Sequence, residues 1–278
     1  MTVAVVGLGL IGGSLCKAVK RFTTHTVLGL DANPEVTRSA LADCAIDRAI
    51  EPQALSEADL SIICLYPEPT IEFIRANAAN FRAGSLVTDV CGVKGTVVSA
   101  AEPLLRERGV AFIGAHPMAG REFSGYAYTS AELFSGASFI MTPSADASPQ
   151  DVAFLESFAL TLGFGRVVMT TPSEHDRAIA FTSQLAHVVS NAYIKSPTLV
   201  NESGFSAGSF LDLTRVAKLN EDMWSSLFLM NRDALTFELE TIIGHLNEYL
   251  AAIRDGDGAE LKALLRDGRV LKEKSLGL

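Results

Sequence analysis

Residues 1–31 constrain this chain more than any other stretch. Val3 to Val6 is a short apolar run, and Gly7, Gly9 and Gly12 follow it in G-x-G-x-x-G spacing. A helical pattern then extends to about Phe22, a second apolar run covers Val27 to Leu30, and Asp31 closes it, 19 residues after Gly12. Strand, glycine turn, helix, strand and acid in this order make the opening unit of a dinucleotide-binding sheet. Gly7 permits the tight turn, Gly9 lets a pyrophosphate approach the backbone, and Gly12 lets the helix pack close to the strand. With Leu8, Leu10 and Ile11 they frame a helix N-terminus whose unpaired N–H groups suit phosphate. Asp31 is positioned to accept hydrogen bonds from the adenosine ribose and would repel the extra phosphate of NADP, so the expected cofactor is NAD. Three glycines alone would equally suit an ordinary turn; the flanking elements carry the reading.

The rhythm continues to about residue 171. Apolar runs at Leu60 to Leu65, Leu86 to Val90, Val110 to Ile113, Ser138 to Met141 and Arg166 to Met169 alternate with helical patterns. Strands this apolar are buried on both faces, as in a doubly wound, mostly parallel sheet. Pro172 and Ser173 break the last strand, and Ser173 with Asp176 suits a capping box for a long helix. Beyond it the strand signals stop. Trp224, Phe228, Leu235, Ile242, Leu246, Leu250 and Ile253 recur at steps of three, four or seven, flanked by further apolar residues. The expected architecture is α/β, with a Rossmann-type domain over 1–171 and an all-helical substrate-binding and dimerisation domain over 172–278. So wide an apolar surface suits a homodimer interface, although a helix buried within one subunit would look the same.

Several classes are disfavoured. With 23 Lys and Arg against 32 Asp and Glu, a net charge of -9, the surface field repels a phosphate backbone, so nucleic acid is not an expected partner. Cys16, Cys44, Cys64 and Cys91 are widely spaced and form no C-x-x-C pair, so no metal is expected and reduced thiols fit a cytoplasmic location. No apolar stretch approaches the ~18 residues of a membrane span, and no basic leader precedes the first strand.

In sheets of this type the ligand lies beyond the carboxyl ends of the strands. Tyr66 and Pro67 follow one strand and Asp89 to Lys94 another, and both are candidate cofactor contacts. Tyr66 and Pro67 equally suit a plain helix start, and Asp89 with Lys94 equally suits a structural ion pair. A hydride acceptor implies an alcohol or amine donor, and a histidine suits the accompanying proton transfer near neutral pH. His25 and His245 read as surface or packing residues, and His175, at a helix start, as exposed or capping. His116 ends a strand on the cofactor side, where a catalytic base and a structural histidine both fit. His187 lies one helical turn beyond Ser183, on the same face.

The run Gly114-Ala115-His116-Pro117-Met118-Ala119-Gly120, with Val6 to Gly13, Thr88 to Lys94, Ser183 to His187 and Asp212-Leu213-Thr214-Arg215, resembles the prephenate and arogenate dehydrogenases of tyrosine biosynthesis. The resemblance covers nearly the whole chain. It implies that His116 contacts the substrate ring hydroxyl and assists its oxidation, and that His187 and Arg215 hold substrate carboxylates. It also makes Ser183 a hydrogen-bonding neighbour and Asp212 a support for the Arg215 guanidinium. The implied reaction is NAD-dependent oxidative decarboxylation of prephenate to 4-hydroxyphenylpyruvate, with arogenate oxidation to tyrosine and a non-catalytic NAD-sensing protein as alternatives. A β-hydroxyacid or imine reductase also joins a Rossmann domain to helices, but the H-P-M-A-G segment argues against one.

The chain departs from the family at several positions. Gly92 stands where members usually carry a serine that helps orient the histidine, leaving Ser124, a water or a backbone group to substitute. Arg121, beside Glu122, replaces a small hydroxyl residue and makes the expected pocket mouth more cationic. Leu211 and Ala186 also differ from the common basic and proline residues. With no chorismate mutase segment or appended regulatory domain expected, any inhibition by tyrosine would act at the substrate pocket.

Overall fold

The computed structural model describes residues 1–120, 123–201 and 204–277. Its first part contains β1 (Thr2–Val6), α1 (Leu10–Phe22), β2 (Thr26–Leu30), α2 (Pro34–Ala42), β3 (Arg48–Ala49), β4 (Leu60–Ile63) and α3 (Pro67–Asn77). It continues through β5 (Leu86–Asp89), α4 (Gly95–Arg106), β6 (Ala111–Pro117), β7 (Ser138–Thr142), α5 (Pro149–Thr161) and β8 (Arg166–Met169). Among the described residues these strands form one sheet in the order β3-β2-β1-β4-β5-β6-β7-β8. Strands β1 to β6 run parallel, β7 is antiparallel to β6, and β8 is parallel to β7. The order of the first six is that of a doubly wound dinucleotide fold, reversing direction between β1 and β4.

Period-2 alternation of apolar side chains explains why the sheet is covered on both faces. Val3, Val5, Leu60, Ile62, Ile113 and Ala115 join one buried cluster. Ala4, Val6, Ile63, Val87 and Phe112 join the other. Helices α2 and α5 start at Asn33 and Ser148, whose side chains accept from the Glu35 and Asp151 N–H groups, each followed by a proline at the first helical position.

The later helices are α6 (Pro172–Ile179), a π turn (Ala180–Gln184), α7 (Leu185–Tyr193), α8 (Gly208–Thr214), α9 (Glu221–Met230), α10 (Arg232–Asp255) and α11 (Gly258–Ser275). The capping box expected of Ser173 and Asp176 is instead formed by Thr171 and Glu174. The Glu174 N–H donates to the Thr171 hydroxyl at 3.2 Å and the Thr171 N–H to the Glu174 carboxylate at 3.2 Å. The pair lies two residues earlier because Pro172, lacking an N–H, takes the first helical position.

The chain divides into two compact units: Met1–Ile179 with Asn220–Met230, and Ala180–Leu219 with Asn231–Leu278. Helix α9 thus belongs with the sheet. Its Leu227 and Met230 pack against the cluster containing Cys91, Val93 and Val97, and the Ser226 hydroxyl donates to Glu68 at 2.6 Å. The apolar repeat that looks continuous from Trp224 to Ile253 is interrupted at Asn231, which lies outside both helices and donates its side-chain amide to Gln184 at 2.8 Å. In the second unit α10 ends at Gly256, in the left-handed conformation at φ +65°, and Asp257 caps α11 through the Ala259 and Glu260 N–H groups. Phe237, Ile243, Leu246, Leu250 and Ile253 are exposed along α10. No helix among the described residues is long and apolar enough to cross a membrane.

Candidate active site

The turn after β1 has the shape expected of its glycines. Gly7 has φ +86°, and a Cβ there would lie 2.6 Å from the Cys64 carbonyl oxygen. At Gly12 a Cβ would lie 1.9 Å from the Gly7 carbonyl oxygen, so α1 approaches the turn as closely as a missing side chain allows. At Gly9 a Cβ would meet nothing within 4 Å. The turn is therefore closed against the protein and open above Gly9, which fits a pyrophosphate lying on the backbone. The Gly13 N–H makes the helical bond to the Gly9 carbonyl at 2.8 Å, leaving the N–H groups of the first turn as the helix's open donors. Asp31, at the end of β2, accepts from the Leu8 N–H at 2.7 Å and the Asn33 N–H at 2.8 Å. These bonds hold its carboxylate beside the turn. Tyr66 is 55% exposed at the N-terminus of α3, with Pro67 buried behind it.

Asp89 and Lys94 lie farther inside. Both side chains are 0% exposed and form a direct ion pair. The Lys94 ammonium also donates to the Ala115 carbonyl at 2.6 Å, and the Asp89 carboxylate accepts from the Cys91 N–H at 2.9 Å. Of the two readings open from the sequence, this enclosure supports the structural ion pair, which joins the ends of β5 and β6 to the start of α4. Gly114 makes room for it, since a Cβ there would lie 3.3 Å from Lys94 Cδ and 2.8 Å from a Val98 methyl carbon.

His116 stands next to the end of β6. Its Nδ1 lies 2.9 Å from His175 Nε2, and His175 Nδ1 lies 2.7 Å from Asp176 Oδ1. The His116 and His175 rings meet edge-on at 64°. His175 is 2% exposed, contrary to the exposed or capping role expected of it. Asp176 does cap a helix, but a distant one: its Oδ1 accepts from the Lys94 N–H and its Oδ2 from the Gly95 N–H, each at 2.8 Å. A carboxylate at the N-terminus of α4 suits the helix dipole. Burial, then the electrostatic influence of the neighbouring His175 ring and the Lys94 ammonium, holds the His116 pKa well below the ordinary histidine value. Neutral His116 is thus the favoured form at neutral pH, as a proton acceptor requires.

The other ring edge of His116 faces Gly92, where an added Cβ would lie 3.8 Å from Nε2 and 3.7 Å from a Leu227 methyl carbon. Ser124, one expected substitute for the absent serine, is exposed and makes no hydrogen bond to His116. The side chain that fixes this ring is His175. Arg121 and Glu122 lie outside the described residues.

In the second unit the π turn carries Ser183, whose carbonyl accepts from His187 Nδ1 at 2.9 Å. A carbonyl only accepts, so that bond places a hydrogen on His187 Nδ1. Burial lowers the His187 pKa, the Ser183 carbonyl opposes this, and the nearby Arg215 charge lowers it further. His187 and Arg215 are therefore neighbours, with Arg215 exposed at the end of α8. Asp212 is also exposed on α8 and makes no ion pair with Arg215 among the described residues. It does not provide the expected support, because residues three apart on an exposed helix end are not compelled to pair.

The doubly wound sheet with its open glycine turn has the layout of a dinucleotide-binding fold, and comparison with known proteins places it among the dehydrogenases. The chain belongs to the prephenate dehydrogenase family: residues 15–181 match the model of the prephenate dehydrogenase nucleotide-binding domain, and residues 171–267 that of the prephenate dehydrogenase dimerization domain. It is 30% identical to the cyclohexadienyl dehydrogenase of Zymomonas mobilis over 269 residues, 92% of this chain and 89% of that one. It is similar to prephenate dehydrogenase from Aquifex aeolicus, solved with hydroxyphenyl propionate and NAD+, at a TM-score of 0.88 and 26% identity over 99% of this chain and 98% of that one. The arogenate dehydrogenase of Synechocystis aligns at a TM-score of 0.85 and 27% identity, over 99% of this chain and 100% of that one.

Proposed function

We propose that this chain oxidises and decarboxylates prephenate with NAD, giving 4-hydroxyphenylpyruvate on the route to tyrosine. The observation that carries the reading is His116, neutral and with Nε2 unengaged by His175, at the strand ends that also bear the open glycine turn. Gly7 to Gly12 and the α1 N-terminus would hold the pyrophosphate, and Asp31 the adenosine ribose, where its negative charge disfavours NADP. NAD, when bound there, would supply the acceptor for the hydride of the carbinol carbon. His116 takes the proton of the ring hydroxyl at Nε2, and the resulting ring carbonyl becomes the electron sink into which the carboxylate is lost as carbon dioxide. Aromatisation drives this last step.

His187 and Arg215 are the residues proposed to bind substrate carboxylates, with the guanidinium suited to two parallel hydrogen bonds. Ser183 acts through its carbonyl, which holds His187 in one tautomer. Arogenate is the second reading, favoured by the similarity to the Synechocystis enzyme. The second copy of this chain is the proposed partner, and the exposed apolar side chains of α10 are its contact surface.

The test mixes purified protein with NAD or NADP and with prephenate or arogenate, and follows reduced cofactor by absorbance. Turnover of prephenate with NAD that falls about 10²- to 10⁴-fold in His116→Ala is expected, the range a positioned general base supplies. Cofactor binding without reduction by either substrate would overturn the proposal, and faster turnover of arogenate would select the second reading.

A further inference from the structure

His175 and Asp176 touch neither the glycine turn nor the open edge of His116, yet they are among the few buried polar side chains of the sheet unit and are joined to His116 in a row. With a single hydrogen on His175 and an ionised Asp176, hydrogen-bond chemistry sets every proton along that row. An ionised carboxylate only accepts, so at 2.7 Å His175 Nδ1 must carry a hydrogen. With that single hydrogen on Nδ1, His175 Nε2 is an acceptor. The 2.9 Å contact to His116 Nδ1 therefore requires the hydrogen on His116. What remains is a lone pair on His116 Nε2, the nitrogen beside Gly92.

We propose that His175 and Asp176 are positioning residues that lock His116 in the tautomer whose Nε2 is free to accept a proton. The inference rests on the reading of His116 as the general base. It explains how the ring is held when position 92 offers no side chain. The restraint enters from the opposite ring edge, through a neighbour 59 residues away in sequence. During turnover His116 gains a proton at Nε2 while retaining that on Nδ1, and the cation so formed donates to neutral His175, which in turn donates to the Asp176 carboxylate. No proton need leave His116 until product forms. Asp176 is itself held by the Lys94 and Gly95 N–H groups, so the row is anchored to α4 and cannot rotate freely. The logic is that of an aspartate fixing a catalytic histidine's tautomer in hydrolases, lengthened by one imidazole.

The test uses His175→Phe, which keeps ring bulk but removes the acceptor, and His175→Gln, whose side-chain oxygen reaches the Nε2 position. Histidine-nitrogen NMR on isotope-labelled whole protein reads the His116 tautomer without any turnover, and dinucleotide titration checks that each variant is folded. The wild type is expected to show His116 protonated at Nδ1. His175→Phe is expected to lose that preference and about 10²-fold in kcat with little change in KM, and His175→Gln to recover most of both. A wild-type His116 carrying its proton on Nε2 overturns the proposal, as does full kcat in folded His175→Phe. If the wild type turns over neither substrate, the proposed function fails, and the tautomer spectrum still decides the role of His175.

Discussion

Replacing Lys94 with methionine would leave the Asp89 carboxylate buried at 0% exposure with only backbone N–H partners. A methionine fills most of the space of the lysine stem, so the expected loss comes from charge and hydrogen bonding and little from a cavity. The Ala115 carbonyl also loses the donor it holds at 2.6 Å. Breaking a buried ion pair by removing one partner typically costs about 3–5 kcal/mol. That is a large share of the ~5–15 kcal/mol by which domains are stable, and at about 2–4 °C per kcal/mol it predicts a fall in Tm of roughly 6–20 °C. The informative comparison is the double variant. Adding Asp89→Asn removes the stranded charge while keeping an acceptor for the Cys91 N–H, so Lys94→Met with Asp89→Asn should be more stable than Lys94→Met alone by about 1–3 kcal/mol. Urea unfolding followed by circular dichroism gives all the needed free energies. A single variant within about 1 kcal/mol of wild type, or a double variant less stable than the single, would refute the reasoning.

Gly12→Ala places a methyl 1.9 Å from the Gly7 carbonyl oxygen, so it should lower stability by about 1–3 kcal/mol and weaken NAD binding at least tenfold, measured by fluorescence titration. The depressed His116 pKa sets the sign of the pH response. As a base it is active above its folded pKa, so kcat/KM should hold as pH falls through ~6.5 and drop only below it; a midpoint at or above 6.5 would contradict the burial described. The same shift makes the unfolded chain bind the proton first, so the His116 contribution to stability falls as pH drops below ~6.5. Leu246→Glu, at a side chain 58% exposed on α10, should convert a dimer into monomers by light scattering, and an unchanged mass would argue against this contact surface.

The parts of the fold that could be read from sequence are those whose signal is local. The glycine turn with Asp31, and strands apolar on both faces, depend on near neighbours and are visible as short patterns. Strand β3 leaves no such pattern, because it is two residues long, Arg48 and Ala49, both exposed. The apolar repeat over α9 and α10 showed that these faces need burial but not against what. A stripe packed on the sheet and a stripe awaiting another surface have the same spacing. The candidate residue His116 stands out in the sequence through its strand end and the residues around it. Its neighbours His175 and Asp176 do not, because Pro172-Ser173-Glu174-His175-Asp176-Arg177 is polar throughout and looks like an exposed helix start. Their burial comes from backbone donors 81 and 82 residues away, which no local pattern records.

The Asp176 carboxylate has a consequence for how this site can change over generations. Its two oxygens serve a helix end and an imidazole together, so a substitution there is penalised both as a loss of fold and as a disturbance of the site. In a random library selected first for solubility and then for turnover, position 176 should be emptied at the first sieve, before chemistry is tested. Variation would accumulate instead at exposed positions such as Leu211 and Asp212, where a changed side chain leaves the scaffold intact.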